Sequence, residues 1–157
     1  MASETTTLRW VWRGISLALV LGWLGLIYFL SARTGSEAAD AISPLFWLGT
    51  LVDEIAHLVL YGGLATLLLL GFWSWRSEGY GEFRWVWLAA SLALFYGLTD
   101  EYHQTFVPGR SASLKDVLLD GAGAMASALV WFYLVTHWTR WARRLKGPAG
   151  SAPASAD

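Results

Sequence analysis

The chain has 157 residues, of which 55% are hydrophobic and 15% are charged, and its mean hydropathy is +0.44. This length allows one domain, and the composition is more apolar than that of soluble domains of similar size. The net charge of −1 gives no indication of a nucleic-acid partner, and the absence of cysteine excludes disulfide bonds and thiol chemistry.

Two long uncharged runs indicate the class of protein. Residues 14–32 carry no charge, and residues 55–75 are interrupted only by His57. Either run can cross a hydrocarbon core of roughly 30 Å as a helix. The first run is long for a signal peptide and lacks a convincing cleavage site, so we interpret it as a retained helix. The sequence therefore predicts an integral membrane protein.

The first half of the chain is predicted to hold two membrane helices. A polar N-terminal tail, residues 1–9, precedes a first helix over about Trp10–Leu30. A polar segment follows, and the apolar stretch Ile42–Leu51, too short to span, is predicted to lie at the membrane interface. The second helix covers about Asp53–Trp75.

The third apolar run, Trp85–Thr99, is short for a membrane helix. At about 1.5 Å per residue it measures roughly 22 Å, less than the thickness of the hydrocarbon core. The helix must therefore continue through about Gln104 in order to cross. This extension carries Asp100 and Glu101 into the membrane edge.

The fourth helix has a local start signal. Ser113, with Asp116 three residues later, matches a capping box, and the helix is predicted to continue to about Trp141. Its segment GAGAMASA, residues 121–128, is rich in small residues that let a neighbouring helix approach closely. That neighbour can belong to the same chain or to a second copy, so the oligomeric state stays open.

These elements predict an all-α fold: an integral membrane four-helix bundle over residues 10–141, with an interfacial segment between the first two helices. A basic and then disordered tail, residues 142–157, follows. With four spans, both termini and the loop after the second helix share a side, whose basic residues are Arg9, Arg13, Arg76, Arg84, Arg140, Arg143, Arg144 and Lys146. The other side has only Arg33, Arg110 and Lys115. The positive-inside rule therefore places both termini in the cytoplasm of a multi-pass cell-membrane protein.

The polar side chains of the last three helices cluster at one shared end, which this orientation places at the outer face. Lipid penalises polar groups that do not face the bundle interior, so these side chains are predicted to form one pocket. Its candidate residues, three or four apart on each helix, are Asp53, His57, Tyr61, Asp100, Glu101, His103, Gln104, Asp116 and Asp120. Arg110, after the turn at Pro108 and Gly109, is predicted to lie at the mouth of the pocket.

These residue types suit phosphate-ester chemistry. Asp53 or Glu101 could orient His57 as a general base, and Arg110 could hold a phosphate through two hydrogen bonds. Four carboxylates could hold a divalent cation or could instead orient the histidine and the arginine: Asp100, Glu101, Asp116 and Asp120. Simpler roles are also open, because acidic residues stabilise helix N-termini and basic residues contact lipid head groups. The sequence does not identify a cofactor.

Two segments carry a family resemblance. The run DEYHQTFVPGRSASLKDVLLDGAGA, Asp100–Ala124, resembles the signature of the VanZ-like membrane proteins, and VDEIAHLVLYGGL, Val52–Leu64, resembles their earlier Asp, His and Tyr motif. The resemblance covers roughly residues 15–140 and implies a four-helix membrane domain. The positions that match the motif are Asp53, His57, Tyr61, Asp100, Glu101, Gln104, Arg110, Asp116 and Asp120.

The resemblance also implies a range of functions. The family takes its name from an association with resistance to the glycopeptide antibiotic teicoplanin, and it has been proposed to resemble enzymes that exchange or cleave lipid head groups, such as phosphatidylserine synthases. One departure is Glu54, where the family commonly has a lysine. Any role of that lysine in binding an anion is therefore absent here or passes to Arg110 or Lys115.

Our leading hypothesis is a membrane enzyme, a lipid head-group transferase or hydrolase, acting on a phospholipid or a polyprenyl-phosphate intermediate of cell-envelope synthesis. The candidate catalytic residues are His57, Asp53, Glu101 and Asp100. The candidate substrate-binding residues are Arg110, Tyr61, Gln104, His103, Asp116 and Asp120. The alternative is a non-catalytic protein that binds or shields a lipid or a glycopeptide antibiotic. An ion pathway is disfavoured, because the inner halves of the last three helices are almost purely apolar.

Overall fold

The computed structural model describes residues 2–44, 51–75 and 83–145, which form five helices and no strand. The helices are α1 (Ala2–Ser31), α2 (Gly35–Ile42), α3 (Leu51–Trp75), α4 (Phe83–Gln104) and α5 (Leu114–Leu145). The prediction of an all-α fold is confirmed for this part of the chain. The extension of the third predicted helix through Gln104 is also confirmed, because α4 ends at that residue.

Within the described residues, three helices are long and apolar enough to cross a membrane: Thr6–Ser31, Leu51–Trp75 and Leu114–Ala142. α4 is not among them, although a helix of 22 residues measures about 33 Å. Its mean hydropathy is lowered by the polar residues at its C-terminal end, which include Asp100 and Glu101. The four-helix bundle with an interfacial segment therefore stays a prediction.

α3 lies at the centre of the fold, in contact with α1, α4 and α5. Small residues let α3 and α5 approach closely: a Cβ added at Gly62 would lie 3.2 Å from the Gly123 carbonyl oxygen, and Ala124 and Ala128 are fully buried. The hydroxyls of Thr66 and Ser127 hydrogen-bond across this contact at 2.5 Å. The small-residue segment of α5 thus serves packing within the chain.

Hydrogen bonds between side chains and backbone carbonyls connect α1 to α3 and α4. The Trp23 indole donates to the Leu60 carbonyl of α3 at 2.8 Å, and the Tyr96 hydroxyl of α4 donates to the Leu24 carbonyl at 2.9 Å. At the opposite end of α1, the Arg13 guanidinium donates to the last carbonyls of α3, which a helix end leaves without helical partners. These bonds set the position of α1 along α3.

Two features of the N-terminal half were not predicted from the sequence. α1 begins at Ala2, so the predicted polar tail, residues 1–9, is helical from that residue; it contains no proline or glycine, and extending a formed helix costs little. The polar segment after Leu30 contains α2, which begins with a capping box: the Glu37 amide donates to the Thr34 hydroxyl, and the Glu37 carboxylate accepts from the Thr34 amide. The Thr34–Glu37 spacing is a sequence signal that could have found this helix.

Other predictions fall partly or wholly outside the described residues. The interfacial segment Ile42–Leu51 is described only at its ends, and residues 76–82 of the loop after α3 lie outside this part of the chain. α5 continues to Leu145, four residues beyond the predicted end at Trp141, so the tail predicted for residues 142–157 is helical as far as Leu145. Its remaining residues, 146–157, lie outside the described chain.

Candidate functional site

The predicted site residues meet at one end of the helices. The C-terminal ends of α1 and α4, the N-terminal ends of α3 and α5, α2 and the α4–α5 loop all contribute to this region. Six polar or charged side chains within it are buried: Ser31, His57, Asp100, Glu101, Gln104 and Asp120. Buried polar groups in an apolar bundle require hydrogen-bond partners, and the partners found here define the site.

His57 of α3 is paired with Asp120 of α5. Its Nδ1 lies 2.8 Å from the Asp120 Oδ1, and the Asp120 side chain is fully buried. Gly97 of α4 makes room for this carboxylate, because a Cβ there would lie 2.7 Å from Asp120 Oδ2. The partner of His57 is thus Asp120, not Asp53 or Glu101 as hypothesised from sequence.

Gln104 connects three charged side chains. Its amide nitrogen donates to Asp100 Oδ2 at 3.1 Å and to Glu101 Oε1 at 3.2 Å, while its amide oxygen accepts from the Arg110 Nε at 3.1 Å. Only one orientation of the amide satisfies all three contacts, since two acceptors face its nitrogen and a donor faces its oxygen. Gln104 therefore holds the Arg110 side chain relative to α4.

Glu101 attaches the start of α5 to α4. Its Oε2 accepts a hydrogen bond from the Ser113 backbone amide at 2.7 Å, while the Ser113 hydroxyl accepts from the Asp116 amide at 3.3 Å. The predicted cap by Ser113 is confirmed. However, the acid that accepts from the Ser113 amide is Glu101 of the neighbouring helix, where the capping-box pattern would place Asp116.

The turn between α1 and α2 forms a wall that was not predicted from sequence. The Ser31 hydroxyl donates to Asp100 Oδ1 at 2.6 Å, and the Gly35 amide donates to the Pro108 carbonyl at 3.1 Å. Gly109 has a φ of +76°, which favours glycine, and it packs against Gly35. Ser31 follows the predicted end of the first helix and belongs to neither motif, so no sequence signal singled it out.

A pocket of about 160 Å³ opens among these elements. Its lining residues from α1, α2 and the turn between them are Ile27, Leu30, Ser31, Arg33, Ala38, Ala41 and Ile42. Those from α3, α4 and the following loop are Asp53, Ala56, His57, Leu60, Tyr61, Asp100, Gln104 and Arg110. The pocket therefore combines one imidazole, two guanidinium groups and two carboxylates with an apolar wall.

The remaining predicted residues occupy different positions. Asp53 is exposed at the start of α3, Asp116 is half-buried, and Tyr61 is buried with its ring parallel to that of His57. His103 does not line the pocket; its ring centroid lies 4.9 Å from that of Tyr28. The structure thus brings most, but not all, of the predicted residues to the pocket or next to the residues that line it.

In the part of the chain that the structure describes, two groups of side chains have the spacing to hold a cation. One ligand atom from each of Asp53, His57 and Asp116 lies within 4.8 Å of the others, and the same holds for His57, Glu101 and Asp120. Imidazole and carboxylate donors suit several divalent metals. His57 belongs to both groups, but in the second its Nδ1 already lies against Asp120.

Glu54, the departure from the family pattern, forms an ion pair with Lys115 at 2.5 Å. This pair engages the amine of Lys115 at the start of α5. By contrast, no carboxylate in the described part of the chain forms an ion pair with Arg110. Of the two residues considered as substitutes for the family's lysine, Arg110 is thus the one available to bind an anion.

The Glu54–Lys115 pair can be tested by charge reversal. We expect Glu54→Lys to lower the unfolding midpoint in detergent slightly, by less than about 3 °C, because Lys115 is exposed and Glu54 is only half-buried, so solvent screens the pair. Adding Lys115→Glu should restore the midpoint, since the reversed pair regains the attraction. Thermal unfolding at low salt measures both effects. A double variant that is no more stable than the single variants would show that the pair contributes nothing measurable.

Comparison with known protein families identifies a relationship over most of the chain. The VanZ/LLP1 family model matches residues 4–136, which include all of α2, α3 and α4 and most of α1 and α5. No curated protein and no solved structure matches.

Proposed function

The chain belongs to the VanZ/LLP1 family of membrane proteins, and we propose that it is an integral membrane enzyme acting on the phosphate-containing head group of a lipid. The observation that carries this proposal is the buried His57–Asp120 pair in a pocket that Arg110 also lines. The pocket thus contains a group able to move a proton and a permanent positive charge able to hold a phosphate.

His57 is the proposed general base. With Nδ1 donating to the Asp120 carboxylate, the neutral imidazole presents the lone pair of Nε2. Nε2 takes the proton of a water or an alcohol as its oxygen bonds to phosphorus, and the ester bond to the leaving group breaks. While the ring is protonated, the Asp120 carboxylate stabilises the imidazolium. The imidazolium then returns the proton to the leaving oxygen.

Arg110 is the proposed phosphate ligand. Its Nε donates a hydrogen bond to the Gln104 amide oxygen, which holds the side chain in one orientation. The two terminal nitrogens of the guanidinium can then donate to a substrate phosphate. Asp100 and Glu101 act in this proposal by holding Gln104 and the start of α5, because their oxygens accept hydrogen bonds from those groups. Asp53 and Asp116 lie beside His57. Their carboxylates would hold a divalent cation if one is bound, and that cation would supply further positive charge for a phosphate.

The size of the pocket favours a head group over a whole antibiotic. Pockets that enclose drug-sized ligands measure roughly 300–1,000 Å³, whereas this one measures about 160 Å³. Its apolar wall, formed by α1, α2 and α3, suits the start of a hydrocarbon chain. By the positive-inside count the site faces outward, so the proposed substrate is a phospholipid or a polyprenyl phosphate of the outer leaflet.

The proposal is tested with purified protein in liposomes that contain a phospholipid or a polyprenyl phosphate labelled in the head group. We expect release or exchange of the label. Arg110→Gln should raise KM by roughly 10-fold to 100-fold, because one charge-assisted contact to the phosphate is lost. Arg140→Gln, at the far end of α5, is the matched control and should leave KM unchanged.

The same experiment separates the two candidate classes of function. Saturable binding of these lipids without turnover would support the non-catalytic alternative. Neither binding nor turnover of any phosphate-containing lipid would overturn the proposal as a whole.

A further inference from the structure

Arg33 lines the same pocket as Arg110, although no sequence motif singled it out. It follows Ser31, whose hydroxyl is bonded to Asp100, by two residues. Its guanidinium carbon lies 5.0 Å from the centroid of the Phe29 ring, a cation–π contact that uses the face of the guanidinium and leaves its N–H groups able to donate. The pocket therefore carries a second permanent positive charge, contributed by the segment between α1 and α2.

The two arginines are held near each other by the backbone. The Gly35 amide donates to the Pro108 carbonyl at 3.1 Å; Gly35 lies two residues after Arg33, and Pro108 lies two residues before Arg110. A Cβ at Gly35 would overlap the backbone of Gly109, so the two segments are in direct contact. The separation between the arginine-bearing segments is thus determined by the fold.

The charges lining the pocket leave both guanidinium groups available. Among the described residues, neither Arg33 nor Arg110 forms an ion pair with a carboxylate. Asp100, which also lines the pocket, accepts hydrogen bonds from Ser31 and Gln104. Two like charges in one pocket repel each other, and an anion able to contact both relieves that repulsion. A guanidinium can hold one phosphoryl group through two hydrogen bonds, so two guanidinium groups suit two linked phosphoryl groups.

We propose that the head group bound in this pocket is a diphosphate, with one phosphoryl group held by Arg110 and the other by Arg33. This inference rests on the proposed function and narrows the substrate class to lipid diphosphates. A diphosphate held in this way contacts both the α1–α2 turn and the α4–α5 loop, the two segments that the Gly35–Pro108 hydrogen bond joins.

The test compares two short-chain probes that differ by one phosphoryl group, farnesyl phosphate and farnesyl diphosphate. Their binding to the full chain in detergent is measured by calorimetry. We expect the diphosphate to bind about 10-fold to 100-fold more tightly, because it gains a second charge-assisted contact. Arg33→Gln should abolish this difference while leaving the affinity for the monophosphate within about twofold. Arg9→Gln, at the opposite end of α1, should change neither affinity.

The outcomes distinguish this inference from the proposed function. Equal affinities of the wild-type protein for both probes would overturn the diphosphate assignment alone. Equal weakening of both probes in Arg33→Gln would also overturn it, because Arg33 would then not contact the second phosphoryl group. Binding of neither probe would overturn the assignment, whereas the proposed function is overturned only if the labelled lipids in liposomes are also neither bound nor turned over.

Discussion

We expect His57→Ala to lower kcat for lipid head-group turnover by about 100-fold to 10,000-fold, the usual contribution of a positioned general base. The reason is the position of the ring: it is buried, its Nδ1 lies 2.8 Å from Asp120, and it lines the pocket with Arg110. Turnover is measured by release of a labelled head group in liposomes, together with the unfolding midpoint of each variant.

Asp120→Asn tests whether His57 acts as one member of a pair. Asparagine keeps the shape of the side chain but can turn its amide toward the imidazole, which favours the tautomer with the proton on Nε2. We therefore expect a loss of kcat comparable to that of His57→Ala. His137→Ala, at the far end of α5 and exposed, is the control and should retain full activity.

Two results would contradict this account. Full activity of a folded His57→Ala protein would remove His57 as the base. Full activity of Asp120→Asn, combined with loss in His57→Ala, would mean that His57 acts without help from Asp120. Loss of activity with an unchanged unfolding midpoint in both variants would support the pair.

The second large effect that we expect is a loss of stability when Gly123, where α5 crosses α3, is replaced by alanine. A Cβ at this position would overlap the backbone of Leu58, and a backbone obstacle cannot move aside as a flexible side chain does. We expect Gly123→Ala to destabilise the fold by about 1–3 kcal/mol, the range for overpacking. This corresponds to a fall of the unfolding midpoint on the order of 5 °C.

Gly71→Ala is the matched control for this substitution. Gly71 is also in a helix, on α3, but a Cβ there would meet nothing within 4 Å. Alanine has the higher helix propensity, so Gly71→Ala should leave the midpoint unchanged or raise it. If both variants lose the same stability, the loss does not come from the α3–α5 crossing.

Gly123→Ala should also reduce activity. Leu58 is adjacent to His57, and Gly123 lies three residues after Asp120, so the crossing point and the His57–Asp120 pair share one contact region. Separating the helices at Gly123 lengthens that hydrogen bond. Activity that is unchanged in a destabilised Gly123→Ala protein would show that the pair does not depend on this close approach.

The features that sequence alone predicted are those set by local chemistry. The cap of α5 at Ser113 depends on residues three apart in the chain, and the end of α4 at Gln104 follows from the length that a membrane helix needs. The motif residues of α3, α4 and α5 were also predicted to meet at one end of the helices. α2 carried an equally local signal, the Thr34–Glu37 capping box, which the low hydropathy of its segment obscured.

The pairing of these residues was decided by the tertiary structure. Spacing along a helix determines which side chains share a face, but not which side chain of a neighbouring helix they meet. His57 contacts Asp120, and not Asp53, because Gly97 and Gly123 let α5 approach α4 and α3 closely at the level of these two side chains. Ser31 and Arg33 enter the site because the Gly35–Pro108 hydrogen bond folds the α1–α2 turn over the pocket. The hydropathy and the motifs of the sequence thus predicted a membrane protein with a polar pocket at one end. Only the close packing of the helices decided which groups in that pocket are paired.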